Sequence, residues 1–186
     1  MVINFNITGM IISCFIFLVL LFLLKKRIKS KYTILFFALL YFYMIAVFKE
    51  TQFPIFINNP AMKEELGALM WGRDINLIPF KGILNRTSAL NIIMFIPLGF
   101  LLPFLINRNL KKIILLGGGF SLFIEITQLS VKLLGAFNFR VTDINDVICN
   151  TFGAILGYFI FFIFLCTLKK VVKNKEDKFL EFILQR

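Results

Sequence analysis

The chain has 186 residues, of which 59% are hydrophobic and 17% charged, and its formal net charge is +11. A single water-soluble core of this size cannot bury so many apolar side chains, so the composition excludes an ordinary soluble domain and predicts a membrane protein. An excess of Lys and Arg is also typical of nucleic-acid-binding proteins. Here the basic residues cluster beside apolar segments, so we expect contact with anionic lipid and no nucleic acid.

Five apolar segments are about twenty residues long, enough to cross a hydrocarbon layer of about 30 Å. Lysines and arginines follow the first, third and fifth segments, which predicts an outside amino terminus and a cytoplasmic carboxyl terminus. The first segment has no basic residues before it, so we expect a retained anchor rather than a cleaved signal peptide. The expected fold is an all-α, polytopic helix bundle in a single domain. Its segments lie near 6–24, 32–48, 90–106, 113–134 and 147–168.

Two shorter amphipathic helices are also expected. Asn59-Pro60 resembles a helix start, and the apolar residues that follow up to Trp71 recur at helical spacing, which predicts a short helix on the outer surface. Residues 169–186 combine lysines with Phe179, Leu180 and Ile183. They predict an amphipathic helix on the cytoplasmic leaflet, although an unstructured charged tail would have the same composition.

Glu125 and Gln128 lie inside the fourth apolar segment. They are three residues apart and therefore share one helix face. With about 1.5 Å of rise per residue from residue 113, Glu125 lies roughly 18 Å into the membrane, in its outer half. A carboxylate inside a transmembrane helix costs about 2.5–3.5 kcal/mol, so this position predicts a functional role.

A second polar run, from Arg140 to Asn150, opens the fifth segment on the outer side. Asp143, Asp146 and Asn150 fall on one stripe of a helix, which continues through Gly153 and Gly157. Arg73, Asn76 and Asn91 approach the same side from the loop and the start of the third segment. We therefore predict one polar pocket in the outer third of the bilayer. Its ligand-binding residues are Arg73, Asn76, Asn91, Glu125, Gln128, Arg140, Asp143, Asp146 and Asn150.

Each of these positions also has a purely structural interpretation. Asp143 is a natural helix cap, and Gln128 and Asn150 would serve equally as hydrogen-bonding contacts between helices. Gly153 and Gly157 favour close helix packing. Asp143 and Asp146, one turn apart, are a weak signal for Mg²⁺, and we expect no cofactor. The chain contains no His, which excludes histidine-dependent catalysis and His-based zinc sites.

The ordered motifs in this part of the chain resemble those of the VanZ-like family of bacterial membrane proteins. They are Asn76-Leu-Ile-Pro-Phe80, the segment from Asn91 to Pro103, Ser121–Gln128, and Arg140-x-x-Asp143-x-x-Asp146-x-x-x-Asn150-x-x-Gly153-x-x-x-Gly157. The resemblance covers about 73–161. It implies a multi-pass protein of the bacterial plasma membrane that is linked to the cell envelope or to teicoplanin susceptibility, and it supplies no reaction.

Three functions fit these observations. The first, which we favour, is binding of a lipid headgroup, a lipid-linked cell-wall precursor or a glycopeptide in the polar pocket, with Arg73 and Arg140 contacting phosphate. The second is an enzyme acting on lipid-linked substrates, with Glu125 as the candidate catalytic acid or base. The third is a small transporter, which would be more natural if the chain formed an oligomer.

Overall fold

The computed structural model describes residues 1–26, 28, 30–57, 60, 64, 73–171 and 178–184. Within these ranges, five helices are long and apolar enough to cross a membrane, which confirms the predicted polytopic bundle. The predicted surface helix around 62–71 falls, except for Glu64, on residues outside the described ranges. The five helices are α1 (Ile7–Leu24), α2 (Lys31–Gln52), α3 (Arg86–Leu101), α4 (Leu110–Leu133) and α5 (Ile144–Val171).

Polar caps set the starts of the helices. Asn6, Ser30, Asn85 and Asn109 each precede a helix, and each side chain accepts a hydrogen bond from a backbone N–H in the first turn. The cap at Asn85 explains why α3 begins before the apolar segment that predicted it. α3 tolerates Pro97 and then tightens into a 3-10 turn at Leu102–Phe104, so the helix and this turn together cross the membrane.

The centre of the bundle is the close contact between α3 and α5. A β-carbon built on Gly153 would collide with the backbone carbonyl of Ile92, and one on Gly157 would collide with that of Ile96. The two backbones therefore touch, as small residues allow in membrane helices. This confirms the predicted packing role of both glycines. The contact holds the starts of α3 and α5 side by side, where the polar residues of both helices lie.

Short strands tie the connections together at one end of the molecule. β1 (Val2–Ile3), β2 (Ile55–Ile57) and β4 (Ala136–Phe137) form an antiparallel sheet, and β3 (Ile75–Asn76) pairs in parallel with β5 (Thr142–Asp143). We call this end the polar end. It comprises residues 50–57, 73–87 and 124–146, where α2 and α4 finish and α3 and α5 begin.

The opposite end, which we call the basic end, carries lysines and arginines between α1 and α2, between α3 and α4, and at the end of α5. Here α6 (Lys178–Leu184) packs its buried Phe182 and Ile183 onto Phe104 and Phe161. Of the helix predicted over residues 169–186, the part Lys178–Leu184 thus lies against the bundle, whereas residues 169–171 belong to the end of α5. The location of the basic end in the cytoplasm remains a prediction from its charges.

Candidate functional site

Glu125 lies on α4 at the polar end, and only 4% of its surface is exposed. Its Oε2 accepts a hydrogen bond of 2.9 Å from the backbone N–H of Asp143. The short connection between α4 and α5 makes this contact possible, since it brings the residue before α5 back against α4. Glu125 therefore points into the protein, toward the start of α5, and away from the lipid.

Asp143 is the residue before the first turn of α5. Its Oδ1 accepts hydrogen bonds from the backbone N–H of Asn145 at 2.8 Å and from Nδ2 of Asn76 at 3.0 Å. The first bond caps the helix, so the structural interpretation of Asp143 is confirmed. The second depends on the parallel pairing of β3 with β5, which places Asn76 opposite Asp143. Asn76 therefore fixes the orientation of the acid.

Asp146 lies one turn further along α5 and is partly buried. The side-chain amide of Asn91 on α3 faces its carboxylate, and the positive charge of Arg140 acts on it. The guanidinium of Arg140 donates a hydrogen bond to the backbone carbonyl of Glu50 at the end of α2. Arg140 is thereby held at the exposed rim of the polar end while its charge faces the acids.

Gln128 and Gln52 link α4 to α2. Nε2 of Gln128 donates to the carbonyl of Thr51 at 3.1 Å, and Nε2 of Gln52 donates to that of Ile124 at 3.2 Å. These bonds confirm that Gln128 makes an interhelical contact. They use only the nitrogen of each amide, because a carbonyl can accept but not donate. Among the described residues, Oε1 of each glutamine is buried and has no hydrogen-bond partner.

Asn150 makes the corresponding contact between α5 and α4. Its Nδ2 donates a hydrogen bond of 2.8 Å to Oγ of Ser121, and both residues are buried. Its Oδ1 is buried and has no partner in the described part of the chain. Asn150 therefore holds two helices together and still presents an unused acceptor.

These side chains surround one cavity with a volume of about 340 Å³ at the polar end. Helices α3, α4 and α5 and the loop before α5 all contribute to it. Thr51, Asn85 and Thr87 also line it, and Met94 and Ile124 form apolar parts of its wall. The predicted site residues that line the cavity are Asn91, Glu125, Gln128, Arg140, Asp143, Asp146 and Asn150.

Arg73 and Asn76 do not line the cavity. Asn76 lies directly behind it through its bond to Asp143. The Arg73 guanidinium is exposed and lies 2.7 Å from the carboxylate of Asp74. The side-chain hydrogen bond to Asp74, together with the charge of that carboxylate, raises the pKa of Arg73 above its ordinary value. A role in binding stays a prediction for all of these residues, and the geometry places Arg73 outside the group.

A family model described as VanZ/LLP1 matches residues 34–165, a range that includes every residue lining the cavity. The chain belongs to the VanZ/LLP1 family. Among curated proteins, it is 40% identical to Protein VanZ of Enterococcus faecium over 87 residues. The alignment covers 46% of this chain and 50% of that protein, so the chain spans about half the length of its curated relative. No solved structure matches.

Some residues that build this part of the VanZ/LLP1-family chain were not among those predicted from the sequence. Asn145 is 2% exposed, accepts a bond of 2.6 Å from the backbone N–H of Phe80, and donates one of 2.9 Å to the carbonyl of Lys81. It anchors the loop before α3 to the start of α5. Asn145 lies inside the Arg140–Asn150 motif, so its position in this polar run was the available signal.

Lys132, Gln52 and Ser121 were missed for a different reason. Lys132, in the last turn of α4, donates to the carbonyl of Asp74 at 3.2 Å, and its charge acts on Glu125. As single polar residues near helix ends or within an apolar run, the three resemble ordinary surface positions in the sequence. Their partners lie more than fifty residues away for Lys132 and Gln52, so only the fold reveals the contacts.

An apolar groove with a volume of about 630 Å³ lies beside the starts of α3 and α5. Its walls include Ile92, Ile148 and Phe152, and Arg86 lies at its edge. Asn85, the cap of α3, lines both this groove and the polar cavity. The polar cavity and the apolar groove therefore approach each other at a single residue, Asn85.

The structure gives little support for a metal centre. Among the described residues, no group of three His, Cys, Asp or Glu side chains is arranged to hold a metal ion. Oδ1 of Asp143 is already bonded to Asn76 and Asn145. The pair Asp143 and Asp146 would therefore bring few free oxygens to Mg²⁺, which prefers six ligands, several of them water.

Proposed function

We propose that this protein binds the polar headgroup of a membrane lipid, or of a lipid-linked cell-wall precursor, in the cavity between α3, α4 and α5. One observation carries the proposal: helices that cross the membrane gather Glu125, Asp146 and Asn150 around a single cavity of about 340 Å³. Acids and amides inside such helices are costly unless they meet polar partners. A polar headgroup that enters from the membrane surface supplies those partners.

The proposed membrane is the bacterial plasma membrane, and the proposed side is its outer leaflet. The lysines and arginines at the basic end favour the cytoplasm for that end. The polar end, with the cavity, then faces outward, where lipid-linked wall precursors are used. Arg140 at the rim would contact the phosphate of the ligand, since guanidinium groups bind phosphate through paired hydrogen bonds.

The apolar groove supports a lipid rather than a soluble ligand. A hydrocarbon chain of the bound molecule would lie against Ile92 and Phe152, while its headgroup lies in the cavity. Asn85, which lines both spaces, marks where the two parts of the ligand join. Ligand sites commonly combine a mainly apolar wall with a few convergent polar groups in this way.

We further propose that headgroup binding affects glycopeptide susceptibility, including susceptibility to teicoplanin. The support is membership in the VanZ/LLP1 family and the likeness to Protein VanZ. Deleting the gene should change the minimal inhibitory concentration of teicoplanin, and the intact gene should restore it. Unchanged susceptibility together with unchanged precursor pools would contradict this part of the proposal.

Lipid binding is tested directly on the purified protein. Native mass spectrometry in a detergent that preserves bound lipids should detect one tightly bound lipid per chain. Glu125→Gln should weaken that binding by about tenfold, because it replaces a carboxyl group that can carry a negative charge by a neutral amide, while keeping an acceptor for the backbone N–H of Asp143. Glu50→Gln changes an exposed carboxylate at the same end and should leave binding unchanged. Equal lipid occupancy in both variants would contradict the proposal.

An enzyme is the second candidate, because Glu125 and Asp146 line the same cavity and could exchange a proton with a bound substrate. A mixture of lipid-linked substrates incubated with the purified protein separates the two functions. Turnover that Glu125→Gln abolishes, without loss of substrate binding, would replace the binding proposal by an enzymatic one.

A further inference from the structure

The buried amides around the cavity have unused acceptors. Oε1 of Gln128 and Oδ1 of Asn150 are buried and have no hydrogen-bond partner among the described residues, although both amide nitrogens are bonded. In Gln128 the orientation is fixed, since only the nitrogen can donate to the carbonyl of Thr51. An unpaired buried acceptor costs about 1–3 kcal/mol. A ligand that donates hydrogen bonds would remove that cost.

The charged residues that line the cavity also favour a ligand that donates hydrogen bonds. Glu125, Asp143 and Asp146 are acids, and Arg140 is the basic residue among the lining side chains. Arg140 is exposed at the rim and is already bonded to the carbonyl of Glu50. The side chain of Asn91 acts on Asp146, and its amide nitrogen is a buried donor without a hydrogen-bond partner among the described residues, so one donor stands against three acids and two unused amide oxygens. The interior of the cavity is therefore acidic and rich in acceptors, and its positive charge lies at the entrance.

From this arrangement we propose that the cavity recognises a primary ammonium group on the bound headgroup. An ammonium carries a positive charge and three N–H donors in a compact group, which suits carboxylates and amide oxygens together. A phosphate on the same headgroup would remain at the rim, beside Arg140. The inference rests on the proposed function, because it specifies the headgroup that the same cavity binds.

The size of the cavity favours a small amine. A volume of about 340 Å³ is near the lower end of the usual range for ligand sites. Phosphatidylethanolamine has the required chemistry, as does a short amino-acid residue attached to a lipid or a wall precursor. The shared feature is the ammonium group, and competition by free ethanolamine separates a lipid from a soluble amine.

A methylation series isolates hydrogen-bond donation from charge. The series consists of phosphatidylethanolamine, its N-methyl and N,N-dimethyl derivatives and phosphatidylcholine, all with the same acyl chains. Every member carries a positive nitrogen and a phosphate. Each added methyl group removes one N–H donor. For the wild-type protein in lipid nanodiscs or detergent, native mass spectrometry should show stepwise weaker binding. The first and last members should differ by about tenfold or more. Equal affinity across the series would overturn the inference.

Variants identify the cavity as the source of that preference. Glu125→Gln should reduce the difference between phosphatidylethanolamine and phosphatidylcholine to less than about threefold. Glu50→Gln should keep the difference, because it changes only an exposed side chain and leaves the backbone carbonyl that accepts from Arg140. If Glu125→Gln does not fold, the methylation series on the wild-type protein still decides the question. A full preference in a folded Glu125→Gln variant would overturn the inference.

Two further ligands separate this inference from the proposed function. Phosphatidylglycerol donates through hydroxyls but lacks the ammonium; if it binds more tightly than phosphatidylethanolamine, headgroup binding stands and the ammonium inference fails. Free ethanolamine should not compete at concentrations similar to that of the lipid. Efficient competition would support ammonium recognition but contradict a lipid as the ligand. If no lipid binds above the level of a detergent control, both proposals fail.

Discussion

The two ends of the bundle use their buried surfaces in opposite ways. At the basic end, Phe36 stacks on Phe104 with ring centroids 3.8 Å apart, and α6 covers the cluster with Phe182. At the polar end, Gln128 and Asn150 are as deeply buried as these rings and line the cavity, yet the amide oxygen of each has no hydrogen-bond partner among the described residues. Complete packing indicates a structural role, whereas incomplete hydrogen bonding around a cavity indicates a place for a ligand.

The largest effect that follows from this comparison is loss of stability at the basic end without loss of lipid preference. Phe104→Ala removes a ring that is 2% exposed and should destabilise the protein by about 4 kcal/mol. Thermal unfolding in detergent measures this. The control is Phe159→Ala, which removes a ring that is 51% exposed and should therefore cost less stability. A changed headgroup preference in folded Phe104→Ala would show that the two ends are not independent.

The contact between α3 and α5 should be almost as sensitive. Gly153→Ala places a methyl group against the carbonyl of Ile92 and should cost about 3 kcal/mol, because two packed backbones must separate. Gly119→Ala is the matched control, since its β-carbon would meet no atom within 4 Å. Similar unfolding temperatures for the two variants would contradict the described packing.

A smaller effect is expected at Asn145. Asn145→Ala removes the two bonds that hold the loop at Phe80 and Lys81, and should destabilise the protein by about 2 kcal/mol. Limited proteolysis of residues 77–84, followed by mass spectrometry, should become faster. Asn107→Ala, at an exposed position of the basic end, should leave both quantities unchanged. An unaltered cleavage rate in Asn145→Ala would exclude the anchoring role.

The apolar groove predicts a weaker, selective effect on lipid binding. Ala89→Trp fills the groove with a large side chain and should lower the affinity for the preferred lipid by about fivefold. The control is Leu90→Trp, at the next position, which is exposed and does not line the groove; this variant should keep the wild-type affinity. Binding is measured as for the wild-type protein. If the two tryptophan variants bind equally well, the hydrocarbon chain lies elsewhere and only the headgroup site remains.

The smallest effect concerns the residue that the geometry places outside the cavity. Arg73→Gln should change stability by less than about 0.5 kcal/mol and leave lipid binding unaltered, because Arg73 is exposed and its ion pair with Asp74 is at the surface. Arg140→Gln, at the rim of the cavity, should weaken lipid binding by about fivefold. The opposite ranking of these two variants would restore Arg73 to the site.

The sequence predicted what depends on local pattern. Hydropathy alone located the five membrane helices. The free-energy cost of placing a carboxyl group inside a membrane helix indicated Glu125. The helix ends were less accurate, because caps such as Asn85 lie outside the apolar segments. The strands were missed altogether, since two-residue strands such as Ile75–Asn76 show no alternation that could be recognised.

The details of the site depend on contacts that no local pattern contains. The bond between Gln52 and Ile124 joins residues 72 positions apart, and that between Asn76 and Asp143 joins residues 67 apart. Helix spacing could show that Glu125 and Gln128 share a face. It could not show that the amide nitrogen of Gln128 bonds to α2 while its oxygen has no hydrogen-bond partner among the described residues.

Occupation of the cavity between α3, α4 and α5 by a lipid headgroup, as proposed, should protect a single cysteine placed in its lining. In a background without Cys14, Cys149 and Cys166, Thr87→Cys lines the cavity and Lys81→Cys lies on the same end outside it. Added phosphatidylethanolamine should slow maleimide labelling at position 87 by about tenfold and leave position 81 unaffected. Equal labelling rates at position 87 with and without the lipid would contradict the account.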